Sequence, residues 1–224
     1  MNTIPKKTYR VLVLVTAMGL SLVFSGLRAA EVNITPDIES VTIRHGDTDV
    51  KIMRNQNQKN TVNPAFAKTS RKCPPFCIQP STLAPGVETI AELEVLDYLK
   101  RMSAGDDSIV VIDSRTPEWV AKGTIPGAIN IPWTSLNPSK GADPISIGEI
   151  LEGTFNALNL EGLWDFRNAR TLVLFCNGMW CGQSPNNIMS LLGFGYPAHK
   201  IKWYRGGMQD WEILGLTTVK PVSE

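Results

Sequence analysis

The sequence predicts an α/β fold, with a mainly parallel central sheet flanked by helices and a small N-terminal β extension ahead of it. Three observations point there. Ile109-Val110-Val111-Ile112 and Leu172-Val173-Leu174-Phe175 are continuous apolar runs, as expected of parallel strands buried on both faces. Helix-period segments flank these runs, and strands alternating with helices imply a mainly parallel sheet. Residues 31–60 instead alternate apolar and polar positions, the period of a half-exposed strand.

In chain order, the first signal is an export segment. Lys6, Lys7 and Arg10 precede an apolar run from Val11 to Leu27. Cleavage after Ala29 places Leu27 and Ala29 at the two small-residue positions, whereas cleavage after Ala30 places Arg28 there. The alternative is an uncleaved anchor, because the run is near the lower length limit for a bilayer span. The organisation is therefore read as 1–29 signal peptide or anchor, 30–86 extension and connector, and 87–220 main domain. Export predicts a periplasmic or secreted chain.

In the extension, Val41-Thr42-Ile43-Arg44 and Val50-Lys51-Ile52-Met53 flank His45-Gly46-Asp47-Thr48-Asp49, a hairpin pattern. From Asn63 to Gly86, Pro64, Pro74, Pro75, Pro80 and Pro85 mark an extended connector. Thr89 then caps a predicted helix with Glu92 reaching back, and Ile90, Leu93, Leu96 and Leu99 share roughly one face until Gly105 stops it. After the second buried run, Ser184 is the predicted cap of another helix with Pro185 at its first position. Ile188, Leu191 and Leu192 form its apolar face, and Gly193 its end. A short strand, Ile201 to Tyr204, precedes Gly206-Gly207. No internal repeat is present.

Composition narrows the function. The 224 residues, 43% hydrophobic, suffice for one well-buried domain with an extension. Lys and Arg total 22 against 21 Asp and Glu, without a long block of one sign. That excludes a nucleic-acid footprint and a polybasic membrane patch, and favours small-molecule or protein-thiol partners. Membrane contact is expected only if the N-terminal segment is uncleaved.

Four cysteines fall in two close pairs, Cys73/Cys77 and Cys176/Cys181. Paired placement in an exported chain points to chemistry rather than to a disulfide-dense scaffold. Cys176 ends a strand and precedes a helix, where loop N–H groups and the helix end favour a thiolate or persulfide anion. The bland alternative is a buried structural cysteine. Cys73-Pro74-Pro75-Phe76-Cys77 leaves two readings. A polyproline-like path puts the cysteines too far apart to bond, and a turn at Pro75-Phe76 brings them together. The spacings also admit a four-thiolate zinc site, but nothing requires one, so no metal is assigned. His45 and His199 are isolated, and are read as surface or packing residues.

The second half of the chain is similar to a known family. Ile112-Asp113-Ser114-Arg115, Glu118-Trp119 and Gly123-Thr124-Ile125-Pro126-Gly127-Ala128-Ile129-Asn130-Ile131-Pro132 resemble the first half of a rhodanese domain. Phe175-Cys176, the loop to Ser184, Leu192-Gly193-Phe194-Gly195-Tyr196 and Arg205-Gly206-Gly207-Met208-Gln209-Asp210-Trp211 resemble its second half in the same order. The resemblance covers about residues 87–220 and implies that Cys176 accepts a sulfane sulfur, commonly from thiosulfate, and passes it to cyanide or another thiol. It implies no organic cofactor. Asp113 and Arg115 match the family's Asp-x-Arg element and are expected to brace the site through buried hydrogen bonds rather than to react. Thr124 stands where the family often has histidine.

The active loop departs from the pattern. Cys176-Asn177-Gly178-Met179-Trp180-Cys181-Gly182-Gln183-Ser184 is longer than usual and contains no arginine or lysine, which puts thiosulfate as donor in question. Cys181 is a candidate resolving thiol, able to attack a persulfide or sulfenic acid on Cys176; the alternative packs it inward beside Trp180. The expected partners are a sulfane sulfur donor and a thiol acceptor, small or protein-borne. Two other functions compete with sulfur transfer. One is thiol–disulfide exchange by the cysteine pairs; the other is a non-catalytic binding module around Trp180, Trp203 and Trp211 with Cys176 locked in a disulfide.

Overall fold

A five-stranded parallel sheet organises the main domain of the computed structural model, which describes Met1 and residues 31–221. The segment read as an export signal or anchor lies outside the described residues. Among those described, no helix is long and apolar enough to cross a membrane. In chain order the main elements are β1 (Ser40–His45), β2 (Thr48–Met53), β3 (Glu88–Ile90), α1 (Glu92–Ser103), β4 (Ile109–Asp113), α2 (Pro117–Val120) and β5 (Ile129–Asn130). Then come α3 (Pro144–Glu149), β6 (Leu158–Leu160), β7 (Leu163–Asp165), β8 (Thr171–Phe175), α4 (Gln183–Gly193), β9 (Ile201–Tyr204) and α5 (Gly207–Ile213).

The sheet order is β3-β9-β8-β4-β5, so the two continuously apolar strands, β4 and β8, lie side by side at its centre. Their pleat sends alternate residues into two cores, as the period of two requires. Val110, Ile112, Leu172 and Leu174 meet Ile188 and Leu191 of α4 on one face. Val111, Val173 and Phe175 meet Val95, Leu96 and Leu99 of α1 and Trp211 of α5 on the other. Ile43 and Ile52 of the β1–β2 hairpin enter that second core, so the hairpin is packed into the domain's hydrophobic interior. Its register pairs His45 with Thr48 across a Gly46-Asp47 turn.

Two predicted helix starts are corrected. Thr89 caps nothing; it lies in β3, paired to Trp203 of β9, and its hydroxyl donates to the Ser81 carbonyl at 2.6 Å. Edge-strand pairing carries the chain past Ile90, and α1 begins at Glu92, with Glu94 Oε2 accepting the Ala91 N–H at 3.0 Å. Glu92 therefore does not reach back to a cap. Leu93 is exposed, and Val95 takes its place on the buried face. Ser184 likewise is not a cap, because α4 starts one residue earlier and Gly182 occupies the capping position. α4 does end at Gly193, and the turn that stops it is closed by Gly195. With φ at +89°, Gly195 donates to the Leu192 carbonyl and Tyr196 to that of Leu191, the paired bonds of a Schellman turn.

Candidate active site

β8, the middle strand, ends at Phe175, and Cys176 follows it at the carboxyl edge of the sheet. The next nine residues fold back over that edge. Cys181 N–H donates to the Gly178 carbonyl at 2.9 Å, and the amide groups opening α5 hold the start of the loop: Met208 to the Cys176 carbonyl at 2.9 Å and Gln209 to that of Asn177 at 3.0 Å. This close approach explains Gly207. A Cβ there would collide with the Cys176 carbonyl oxygen, and its φ of +57° favours glycine as well.

Cys176 is 2% exposed and Cys181 3%, and both are free thiols. The Ser184 hydroxyl donates to Cys176 Sγ at 3.1 Å and accepts from the Trp203 indole Nε1 at 3.1 Å. The indole nitrogen can only donate, so it fixes Ser184 as acceptor on that side and leaves the hydroxyl proton for the sulfur. Burial alone would push the Cys176 thiol up. Hydrogen bonds from the Cys181 thiol, the Ser184 hydroxyl and the Ser184 and Gly178 amides outweigh it, and the pKa falls to about 7. When protonated, Cys176 donates to the Cys181 carbonyl at 3.4 Å. Burial, and then donation to the Cys176 anion and repulsion by it, push Cys181 up. Cys176 is thus the more acidic thiol of the pair, and Cys181 its proton-bearing neighbour.

The remaining loop residues hold the frame. Asn177 Oδ1 accepts from Arg115 Nη1 at 3.3 Å, Trp180 Nε1 donates to Gln209 Oε1 at 2.8 Å, and Gln183 Oε1, at 3.8 Å, is the alternative acceptor for the Cys181 thiol when Cys176 is protonated. Asp113 and Arg115 are buried and paired at 2.6 Å. Arg115 also donates to the Gly123 carbonyl, and Thr124 Oγ1 donates to Asp113 Oδ2 at 2.7 Å. Thr124 therefore completes the buried carboxylate's hydrogen bonding, a role that its hydroxyl and its place near the Asp-x-Arg element could have suggested. A cleft of about 610 Å³ lies elsewhere, lined by His45, Thr124 and Asn130 but by neither thiol.

The other cysteine pair resolves toward the turn. Phe76 N–H donates to the Lys72 carbonyl at 3.0 Å, and Cys73 and Cys77 are disulfide-bonded with Cα atoms 4.7 Å apart. The polyproline path is not taken. This turn packs on the active loop: Phe76 meets Trp180 edge-on at 5.7 Å, and Gln79 N–H donates to the Met179 carbonyl at 2.8 Å. Among the described residues, no cluster of three or more His, Cys, Asp or Glu side chains is arranged to hold a metal.

A thiol at the carboxyl end of the middle strand of a parallel sheet, braced by a buried Asp-x-Arg pair, defines an α/β protein built around one activated cysteine. The model of the rhodanese-like domain matches residues 95–214, over half the chain, and the chain belongs to that family. A curated relative, the HTH-type transcriptional regulator Rv0324 of Mycobacterium tuberculosis, is 27% identical over 128 residues. The match spans 57% of this chain and 42% of that protein, so the chain covers less than half of the relative's length. Among solved structures, thiosulfate sulfurtransferase from Pseudomonas aeruginosa is similar with a TM-score of 0.40 and 19% identity, over 62% of this chain and 21% of that one. The human single-domain sulfurtransferase TSTD1 has a TM-score of 0.35 and 21% identity, over 56% and 95% of the two chains.

Proposed function

We propose that this chain is an exported sulfurtransferase that carries sulfane sulfur as a persulfide on Cys176. The observation that carries the reading is the set of donors converging on Cys176 Sγ, which lowers the pKa of a buried thiol to about 7. The thiolate attacks the outer sulfur of a donor. A sulfur–sulfur bond forms on Cys176, the donor's own breaks, and sulfite or a thiolate leaves with the electron pair. An acceptor thiolate then attacks the terminal sulfur, takes it as a new persulfide and returns Cys176 to the thiolate. Because the resting thiol is buried, the loop or the turn packed on it must shift for donor and acceptor to enter. The partners are small sulfur compounds or protein thiols, not nucleic acid, and the compartment is periplasmic or extracellular.

A second reading rests on the adjacency of Cys181. Its attack on the Cys176 persulfide would release hydrogen sulfide and leave a Cys176–Cys181 disulfide, which an external dithiol reopens. Mass spectrometry of the cysteine peptides after incubation with a persulfide donor separates the two. One added sulfur on the Cys176 peptide supports transfer. A Cys176–Cys181 bridge with sulfide in solution supports exchange.

A further inference from the structure

The active loop contains no cation, and Arg115 and Arg205 of the main domain are already committed. Arg115 is bound to Asp113, and Arg205 donates to the Gln79 and Pro80 carbonyls at 2.8 and 3.0 Å. The connector, which lies outside the region matched by the family, supplies another. The Arg71 guanidinium lies 3.7 Å from the centre of the Trp180 ring, beside Cys181 in the chain, and 5.8 Å from the Phe76 ring. Among the described residues it is paired with no carboxylate, and its Nε is buried without a hydrogen-bond partner. Arginine stacked on an aromatic face keeps its N–H donors in the plane of the guanidinium, free for an oxyanion.

We infer that Arg71 is a specificity-determining residue, binding the oxyanion end of an anionic sulfur donor whose sulfur is delivered to Cys176. The inference rests on the sulfur-transfer reading. Its physical basis is that a stacked, unpaired guanidinium offers a two-pronged, charge-assisted contact to a sulfonate or carboxylate. Desolvation lowers the Arg71 pKa, and Trp180, on which the guanidinium stacks, is the active-loop residue immediately before Cys181. The Cys73–Cys77 bridge follows Arg71 at once and closes the turn that carries Phe76, so the cation sits at the base of a constrained loop.

The test compares three donors at Cys176 in the full chain: thiosulfate, mercaptopropionate persulfide and mercaptoethanol persulfide, the last two differing in a carboxylate against a hydroxyl. Arg71→Gln is expected to lower the efficiency of an anionic donor relative to mercaptoethanol persulfide by roughly ten- to a hundredfold, the worth of one charged hydrogen bond. Arg71→Lys is expected to lower it less. A fall for thiosulfate alone assigns the site to sulfonates, and a fall for mercaptopropionate persulfide alone assigns it to carboxylates. Unchanged ratios for both anions overturn the inference and leave sulfur transfer standing. Calorimetric binding of thiosulfate to Cys176→Ser, with and without Arg71→Gln, reads the anion contact without transfer. Arg71-dependent binding alongside an unsubstituted chain that loads no sulfur from any of the three donors would sink the transfer reading instead.

Discussion

Two cysteine pairs of nearly equal spacing end in opposite states. Cys73 and Cys77 lie in an exposed turn and are bonded to each other; Cys176 and Cys181 lie under a loop and remain free thiols. Spacing does not separate them, but surroundings do. The first pair is held by a backbone turn, and among the described residues no donor group hydrogen-bonds to either sulfur. The second is buried among amide and hydroxyl donors that lower one thiol, while burial and its charged neighbour raise the other. Two thiols driven apart in acidity have the chemistry that the proposed roles of nucleophile and proton donor require. A pair joined on the surface makes a staple.

The sharpest way to break this comparison is to exchange the roles by mutation. Cys176→Ser is expected to abolish sulfur loading, because a serine hydroxyl forms no persulfide, while Cys73→Ser leaves loading measurable. One sulfur atom still gained by the Cys176→Ser chain would overturn the assignment.

The frame that keeps the second pair in place comes next. Arg115→Leu leaves Asp113 charged, buried and short of its partner, and removes the contact to Asn177. The expected loss is about 3–5 kcal/mol of unfolding free energy, read from the urea midpoint. A loss within the error of the wild-type value would show that Asp113 finds its hydrogen bonds elsewhere.

Much of this arrangement was legible in the sequence because it rests on strong local signals. The apolar runs of β4 and β8 mark the centre of a parallel sheet, Cys176 follows one of them, and Asp113 and Arg115 fall where the other ends. What was not legible depends on tertiary contact. Thr89 carries a good capping pattern, yet three residues of strand pairing with β9 override it. Ser184 has the chemistry of a helix cap, but its hydroxyl is engaged by Trp203 from β9, a contact no local pattern encodes. Arg71 is a single cation in a proline-rich connector, and only folding brings it over Trp180. The state of Cys73 and Cys77 turned on backbone choices at Pro74-Pro75 that residue identity leaves open.

A finer probe asks which donors create the asymmetry of the buried pair. Ser184→Ala removes a hydrogen bond to the Cys176 anion, so the pKa of that thiol should rise by about one to two units, the equivalent of ~1.5–3 kcal/mol. Trp203→Phe keeps the packing but frees the Ser184 hydroxyl to turn away, and a smaller rise is expected. Ultraviolet titration of the thiolate measures both. An unmoved titration in Ser184→Ala would assign the low pKa to the amides and Cys181 alone.

The pH dependence has a definite sign. Because folding lowers the Cys176 pKa from 9.0 to about 7, the unfolded chain binds more protons between those values. The thiolate's stabilising contribution is therefore present in full above the unfolded value and is lost as pH falls through about 7. Loading is expected to rise through about pH 7 and level off above it. A rate still climbing in proportion to hydroxide near pH 9 would mean that Cys176 titrates as an ordinary thiol.

The measurement that bears most directly on the comparison is non-reducing peptide mapping of all four cysteines in the chain, before and after a persulfide donor. The expected map holds Cys73 bridged to Cys77 throughout, Cys176 and Cys181 unmodified at first, and one added sulfur on Cys176 afterwards. Cys176 bridged to Cys73 or Cys77, or sulfur found on the turn instead of the loop, would contradict the division of labour between the two pairs.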